Sequence, residues 1–449
     1  MPATSENTAG KNTVDTLIDA RWIIPVEPAG QILAHHAIVI SGGIIRDILP
    51  TAEAHAKYSA RQHFRLDDQV LIPGLINLHT HAAMSLLRGL ADDLPLMDWL
   101  NNHIWPAESK HLSADFVRDG TLLACAEMLR GGVTCFNDMY FFPGAAAQAA
   151  LAAGMRAAIG MIVIDFPTAY AADADDYLSK GLALRDELRD ETLIHTCLAP
   201  HAPYTIGDKT FGKILTYAEQ LDLVMHIHVH ETQDEIRHSQ EKYQLRPLQR
   251  LQNLGLLGPN FLAVHAVHLT GNEIETLATQ GCHIAHCPTS NLKLASGIAP
   301  VKDLLAHGIN VGLGSDGAAS NNRLDLFGEM RLAALLAKGT SGEADTLPAH
   351  QALAMSTLNA ARALGIAHLT GSLAIGKAAD IAAVDLSAAE TQPCYDVASH
   401  LVYAAGRENV SHVWVNGKLV LDERRLTTLD TRELNARTAF WHERISSRK

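Results

Sequence analysis

The stretch LIPGLINLHTHAAMSLLRGL, residues 71–90, is an apolar, strand-like run that ends in two histidines, His79 and His81. Side chains alternate in direction along a strand, so these two imidazoles point to the same side and can approach one ion together. Histidines at a strand end are also compatible with partly buried rings that bond to backbone groups. The pair alone leaves both interpretations open, and further ligands are needed to decide.

Seven further apolar runs follow, and Ala- and Leu-rich helical stretches separate them. They are GVTCFNDM (132–139), RAAIGMIVID (156–165), LIHTCLAPHAPY (193–204), VMHIHVHET (224–232), FLAVHAVHL (261–269), CHIAHCPTS (282–290) and INVGLGSDG (309–317). With INLHTH (76–81) they give eight strand candidates. Eight alternating strand and helix units predict an α/β protein built on a (β/α)8 TIM barrel.

Both ends of the chain lack the alternating strand and helix pattern of the central segment. Short β-like runs such as TLIDARWIIPV (16–26) precede the barrel, and VSHVWVNGKLVLD (410–422), with a hairpin-type Asn-Gly turn, follows it. We expect the two ends to pair into one small β-sandwich domain. The predicted organisation is a disordered tail at 1–12, sandwich strands at 13–72, the metal-dependent barrel at 73–368, sandwich strands at 369–425 and a C-terminal helix at 426–449.

The composition is that of an ordinary globular protein, with 47% hydrophobic and 19% charged residues. A formal net charge of −13 argues against a nucleic-acid partner, whose binding sites are basic. The six cysteines are scattered through apolar segments, which indicates buried thiols in a reducing compartment. The polar start MPATSENTAGKNT resembles no signal peptide, and no run is long enough to span a membrane, so a cytoplasmic location is expected.

Polar side chains recur where the strand candidates end, which is where barrel enzymes carry their catalytic groups. The fifth run supplies three histidines on one predicted face, with Glu231 just beyond. The rim set is His79, His81, His201, His226, His228, His230, Glu231, His265 and Asp316. Imidazole and carboxylate ligands suit zinc or iron(II), and an ion with an open position lowers the pKa of a water molecule toward about 7. Glu231 could shuttle that proton, Asp316 could bind metal and accept a proton, and His265 could stabilise the attacked group.

These segments together resemble the amidohydrolase superfamily. The resemblance rests on PGLINLHTH, HIHVHET, VHAVHLT, HCPTSNLKLASGIAPV and GLGSDGAASNN, and within the superfamily it is to the 5′-methylthioadenosine/S-adenosylhomocysteine deaminases. It implies one divalent metal ion per chain, with zinc expected and iron(II) or manganese(II) as alternatives. The implied ligands are His79, His81, His228 and Asp316. Glu231, His265 and Asp316 are the implied catalytic residues, and His226 and His230 are expected to be structural.

Binuclear relatives bridge two ions with a modified lysine at the end of the fourth strand. The segment TLIHTCLAPHAPYT has no lysine, and His201 occupies that rim instead. This favours one ion and deamination over the hydrolysis of hydantoins or lactones.

The resemblance also implies substrate contacts. Trp99 and Glu108, in MDWLNNHIWPAESK, are expected to lie over the substrate, with Glu108 binding the ribose 2′- and 3′-hydroxyls. His201 is expected to contact the base or sugar, and Glu231 and Asp316 the reacting ring. Arg156 resembles one of two arginines that relatives place near the carboxylate of S-adenosylhomocysteine. The second would fall near Thr168, where no arginine stands, which favours a neutral methylthio group.

The expected reaction is therefore hydrolytic deamination of the adenine ring of 5′-methylthioadenosine to the inosine analogue and ammonia, with S-adenosylhomocysteine and adenosine as further candidate substrates. A triazine-type chlorohydrolase and a guanine deaminase are the alternatives, and Glu108 in a ribose-binding role argues against both. A catalytically inactive assembly module is a remote alternative, since every implied ligand is present. The zinc deaminases with a PCxxC signature have a different fold, and that signature is absent. The relatives also suggest a homo-oligomer, a dimer or tetramer.

Overall fold

The structure, a computed structural model, describes residues 11–447. Its strands are β1 (Asn12–Ile23), β2 (Leu33–Ser41), β3 (Ile44–Pro50), β4 (Tyr58–Pro73), β5 (Leu75–Thr80), β6 (Val133–Met139), β7 (Arg156–Val163), β8 (Ile194–Pro200), β9 (Met225–Val229), β10 (Phe261–His265), β11 (His283–His286), β12 (Asn310–Leu313), β13 (Ile381–Asp385), β14 (Val410–Val415), β15 (Lys418–Asp422) and β16 (Arg425–Leu426).

The α-helices of the same range connect and cover these strands. They are α1 (Thr51–Lys57), α2 (Leu96–Trp99), α3 (Trp105–His111), α4 (Ala114–Arg130), α5 (Pro143–Ala153), α6 (Ala174–Glu187), α7 (Asp208–Leu221), α8 (Gln233–Tyr243), α9 (Pro247–Asn253), α10 (Gly271–Gln280), α11 (Pro288–Lys293), α12 (Val301–Ala306), α13 (Leu326–Ser341), α14 (Ala349–Met355), α15 (Leu358–Ala363), α16 (Val397–Tyr403) and α17 (Thr431–Ser446).

Strands β5 to β12 form a parallel sheet in which each strand pairs with its neighbour in the chain. The two edges of this sheet meet, because the backbone N–H of Asp316, just beyond β12, donates to the carbonyl of His79 in β5 at 3.0 Å. Every residue of β5, β6 and β7 is buried, as expected for strands that are covered on both faces. The predicted (β/α)8 barrel is confirmed, and its eight strands coincide with the eight apolar runs.

The second sheet joins the two ends of the chain. Its order is β16-β15-β14-β13-β4-β1-β2-β3, and the long strand β4 pairs in parallel with β1 and antiparallel with β13. The expectation that the N- and C-terminal segments build one small β domain is confirmed, and its strands lie in a single mixed sheet. Apolar side chains such as Ile18, Ile38 and Trp414 are fully buried on it.

The predicted tail at 1–12 lies outside the described residues except for positions 11 and 12, and Asn12 already belongs to β1. Helix α17 falls within the predicted helix at 426–449, whose last two residues also lie outside the described range. The six cysteines are all unpaired, and five are buried. Between residues 11 and 447, no helix is both long and apolar enough to cross a membrane.

A helical segment follows β5 and covers the C-terminal end of the barrel. Helices α2 and α3 are joined by a π-helical turn at Leu100–Ile104, a conformation that occurs often at functional sites. The segment carries Trp99 and Glu108, which are both buried. It therefore supplies one wall of the cavity above the strand ends.

Candidate active site

The four predicted metal ligands meet at the C-terminal ends of β5, β9 and β12. Oδ1 of Asp316 lies 3.3 Å from Nε2 of His79 and 3.4 Å from Nε2 of His81. Nε2 of His228 lies 3.1 Å from Nε2 of His79. Four potential ligand atoms thus surround one point.

The tautomers of two of these histidines are fixed by backbone carbonyls. Nδ1–H of His81 donates to the carbonyl of Met139 at 2.6 Å, and Nδ1–H of His228 donates to the carbonyl of His201 at 2.7 Å. Because a carbonyl only accepts, each neutral ring presents a lone pair at Nε2. Lone pairs that face one another and a carboxylate repel unless a cation lies between them, so the donor set fits a divalent ion.

His226 contacts the ring of His79, the third predicted histidine ligand. Its Nε2 lies 2.8 Å from Nδ1 of His79, on the side of that ring away from the other ligands. Burial lowers the pKa of His79 to about 4, so the ring is neutral at pH 7 and can offer a lone pair. For Nε2 of His79 to do so, its Nδ1–H must donate to Nε2 of His226, and His226 thus orients the ring of His79.

His230 does not share the face of the other two histidines of its run. Strand β9 ends at Val229, and His230 has a φ of 56°, so the period-two alternation stops before it. Its ring accepts a hydrogen bond at Nε2 from the backbone N–H of Leu248, at 3.0 Å, and bonds at Nδ1 to the carbonyl of His268, also at 3.0 Å. The expected single face therefore holds only two of the three rings.

Asp316 is held at both carboxylate oxygens. Oδ2 accepts hydrogen bonds from the hydroxyls of Ser290 at 2.6 Å and Ser320 at 2.8 Å, and Oδ1 accepts from the N–H of Gly317 at 2.7 Å. Burial by itself would raise the pKa of this carboxyl, but the contact with His79 and the neighbouring imidazoles hold it well below its usual range. The Asp316 carboxyl group therefore stays ionised at neutral pH.

The approach of β12 to β5 depends on Gly314. A Cβ atom at this position would lie only 2.8 Å from the Cβ of His79. Asp316 follows with a φ of 62°, in the left-handed region that few non-glycine residues adopt. His265, at the end of β10, has a φ of 69°. Such conformations cluster at functional sites because they aim side chains that a regular strand would direct elsewhere.

Glu231 and His265, the residues predicted to handle protons, lie next to each other in the site. Nε2 of His265 lies 3.9 Å from Oε2 of Glu231, and Nδ1 of His265 lies 2.8 Å from Oδ1 of Asn291. Burial raises the pKa of Glu231, while His265 opposes that rise. A raised pKa suits a carboxyl group that must both accept and release a proton near neutral pH.

The backbone beneath Glu231 is fixed by a residue that sequence reasoning missed. The Glu235 carboxylate, in the first turn of α8, accepts hydrogen bonds from the N–H groups of His230 at 2.9 Å and Glu231 at 2.8 Å. In the sequence, the role of Glu235 was indicated only by its position four residues after Glu231, at the start of a predicted helix. Glu235 thus helps to set where the Glu231 side chain begins.

A cavity of about 380 Å³ opens above these residues and beneath the α2–α3 segment. Trp99, Glu108 and His201 line it, together with Glu231, His265 and three of the four predicted metal ligands, His81, His228 and Asp316. The structure therefore brings every sequence-predicted site residue except Arg156 either to this cavity or, in the case of His79, into contact with residues that line it.

Glu108 is paired with a tyrosine that the sequence analysis did not identify. Tyr140 directly follows β6, which is a rim position in a barrel, and its hydroxyl donates to Oε1 of Glu108 at 2.6 Å. Burial raises the pKa of Glu108 to about 7, although the bond from Tyr140 opposes the rise.

Arg156 lies at the other end of the barrel, and its assignment as a substrate contact is corrected. It is the first residue of β7, so it sits at the N-terminal end of the strand. Its guanidinium is buried and pairs with the Asp380 carboxylate, at 2.9 Å from Nε to Oδ2 and 3.3 Å from Nη2 to Oδ1. Asp380 also accepts from the N–H of Asn416. Arg156 thus joins the barrel to the terminal sheet.

Comparison with known proteins agrees with this geometry. Residues 70–420 match the amidohydrolase family. The chain is 48% identical to a 5-methylthioadenosine/S-adenosylhomocysteine deaminase from Saccharophagus degradans, over 98% of both chains, and 41% identical to a 5′-deoxyadenosine deaminase from Methanosarcina mazei, over 94% of this chain and 96% of the other. A crystal structure of an adenosine deaminase from Xanthomonas campestris with bound zinc superposes with a TM-score of 0.96 at 47% identity, covering 97% of this chain and 99% of that one.

Proposed function

Because this chain belongs to the amidohydrolase family, we propose that it removes the 6-amino group from the adenine ring of 5′-methylthioadenosine by hydrolysis. The products are the inosine analogue and ammonia. The observation that carries the proposal is one cavity with the predicted ligands, three histidines and one carboxylate, clustered at its base and a buried carboxylate, Glu108, in its wall. The predicted ligand set suits attack by water on a ring carbon, and the Glu108 carboxylate suits the binding of a vicinal diol.

The chemistry at the base follows from the side chains there. His79, His81, His228 and Asp316 would hold one divalent ion, and such an ion lowers the pKa of a water molecule toward about 7. Glu231, with its raised pKa, takes a proton from the attacking water and delivers it to ring nitrogen N1, which removes the aromaticity that opposes addition at C6.

The remaining proton leaves by a second route. The Asp316 carboxylate accepts it and passes it to the amino group, which departs as ammonia. The ligand atom of His265 lies within 4.8 Å of those of His79 and Asp316, and because Nδ1–H of its ring donates to Oδ1 of Asn291, Nε2 of the neutral ring can accept a hydrogen bond from the attacking water. Glu231 and Asp316 therefore handle different protons in the same turnover.

The charge and polarity of the side chains that line the cavity determine which 5′ substituents of the nucleoside can bind. None of the residues lining the cavity is an arginine or a lysine, and Thr168 stands where relatives are expected to have a second arginine. The wall includes apolar side chains such as Leu96, Phe141 and Phe166. We therefore expect neutral 5′ groups, as in 5′-methylthioadenosine and 5′-deoxyadenosine, to be preferred over the charged amino-acid end of S-adenosylhomocysteine.

Zinc is the proposed ion, at one per catalytic site, because the predicted ligands are nitrogen and oxygen atoms that lie close together and because the similar adenosine deaminase has bound zinc. The homo-oligomeric state and the cytoplasmic location stay predictions from the sequence. Analytical ultracentrifugation and fractionation of cells would test them.

The decisive experiment is a substrate panel on protein of measured metal content, read by loss of adenine absorbance for the adenine nucleosides and by release of ammonia or chloride for guanine and chlorotriazines. We expect the highest kcat/KM for 5′-methylthioadenosine or 5′-deoxyadenosine, a lower value for S-adenosylhomocysteine, and no turnover of guanine or chlorotriazines. Turnover of guanine or a triazine without turnover of any adenine nucleoside would overturn the proposal.

A further inference from the structure

A second group of metal-ligating side chains lies in the terminal sheet, outside the catalytic cavity. It consists of Asp19 in β1, His55 in α1 and His63 in β4. Oδ2 of Asp19 is 2.8 Å from Nε2 of His55 and 2.7 Å from Nε2 of His63. The three potential ligand atoms lie within 4.8 Å of one another.

The carboxylate at the centre of this group is incompletely satisfied. The side chain of Asp19 is 10% exposed, yet its other oxygen, Oδ1, is buried without a hydrogen-bond partner among the described residues. A buried carboxylate oxygen that lacks a donor is costly, and a cation is one group that can satisfy it. Asp19 and His55 also line an open groove, which gives an ion from solvent access to the carboxylate.

The two imidazoles can change partner at little cost. Their side chains are 37% and 30% exposed for His55 and His63, so the ring proton can move to Nδ1 and be solvated there. Each Nε2 then has a lone pair directed at the space beside Asp19. Two imidazoles and one carboxylate with a position open to water form a donor set typical of zinc-class ions.

We propose that Asp19, His55 and His63 form a second divalent-metal site, for a transition cation of the zinc class. Bonds of about 2.0–2.1 Å place tetrahedral ligand atoms roughly 3.4 Å apart, so both rings must withdraw from Asp19 by about half an ångström. The catalytic ligand atoms already have spacings of 3.1–3.4 Å. The second site is therefore the weaker of the two, and it fills after the first.

The ion at this site has a structural consequence and no catalytic one. Helix α1 contacts β2, β3 and β4, and His55 is its link to Asp19. A shared ion replaces two hydrogen bonds with coordinate bonds that join α1, β1 and β4. We expect it to stabilise the docking of α1 on the terminal sheet and to leave deamination unchanged.

The test is equilibrium dialysis of the holoenzyme against excess Zn²⁺ at neutral pH, followed by metal analysis. Wild type should hold two zinc ions per chain, and His63→Ala, His63→Gln and Asp19→Asn should hold one. His307→Ala, which removes an exposed histidine remote from the site, should hold two. Circular dichroism confirms that each variant is folded, and His63→Gln keeps a polar side chain should the alanine variant fail to fold.

One zinc ion per chain in wild type, or two in the folded His63 and Asp19 variants, would overturn the second site. Cobalt(II) substitution gives an independent readout, because its visible spectrum should show a second tetrahedral-type ion in wild type and in His307→Ala alone. The result does not depend on which substrate the enzyme deaminates, since the count is made without turnover. Equal kcat/KM for wild type and every variant is expected and separates this site from the catalytic one.

Discussion

Replacing Tyr140 with phenylalanine tests how the cavity binds a ribose. The change removes the hydroxyl that donates to Oε1 of Glu108 at 2.6 Å and keeps the ring. Burial raises the pKa of Glu108 to about 7, and the bond from Tyr140 limits that rise. Tyr140→Phe should therefore raise the pKa of Glu108 further. The diol hydroxyls need the ionised carboxylate as their acceptor, so affinity is lost as the pH falls through this pKa.

The size of the effect follows from the strength of the lost bond. A hydrogen bond to a charged group contributes about 1.5–3 kcal/mol, and about 1.4 kcal/mol corresponds to one pKa unit, so the pKa of Glu108 should rise by roughly one to two units. At pH 7 the ionised fraction then falls from about one half to roughly 1–10%, and KM should rise by about 5- to 50-fold. Above the new pKa the carboxylate is ionised again in both proteins, so their KM values should converge at alkaline pH.

The assay is KM for 5′-methylthioadenosine across the pH range, read by loss of adenine absorbance. Two controls isolate the carboxylate. Tyr204→Phe removes a hydroxyl elsewhere in the cavity, and 2′,3′-dideoxyadenosine lacks the diol that Glu108 is proposed to bind. A rise in KM of the same size at every pH, or an equal rise for the dideoxy substrate, would show that ionisation of Glu108 does not control diol binding.

Three further outcomes are expected. Glu231→Gln should lower kcat by about 10²- to 10⁴-fold with the metal retained, because the amide cannot relay a proton; a loss below about tenfold would contradict the shuttle. His228→Ala should lose the ion while His230→Ala keeps it, and metal analysis of both would expose an error in the choice of ligand. Arg156→Met should lower the free energy of unfolding in urea by about 3–5 kcal/mol, because it leaves the buried Asp380 unpaired, with KM unchanged. A raised KM without lost stability would return Arg156 to the substrate.

The sequence determined the barrel because the barrel depends on local patterns, and it predicted that polar side chains would cluster on one rim. Eight apolar runs alternate with helices, and parallel strands that are buried on both faces must be continuous and apolar. The ends of such strands meet on one rim of a closed barrel, so the pairing of His79 and His81 with residues more than a hundred positions away follows from topology. Only the resemblance, and not the spacing, selected His228 from its run of three histidines.

The tertiary structure decided what depends on contacts between distant segments. His230 leaves the ligand face because β9 ends one residue earlier, at Val229, and a left-handed φ turns its ring toward α9. The bond from Tyr140 to Glu108 joins segments 32 positions apart, and neither residue type predicts it.

Arg156 also shows that residue type alone does not predict which partner a side chain meets. Its chemistry suits a carboxylate, and it does bind one, but that carboxylate belongs to Asp380, 224 positions along the chain. Its place as the first residue of a strand already put it at the end of the barrel opposite the rim. The residue type determines which partner a side chain can bind, whereas strand direction and chain packing determine which partner it meets.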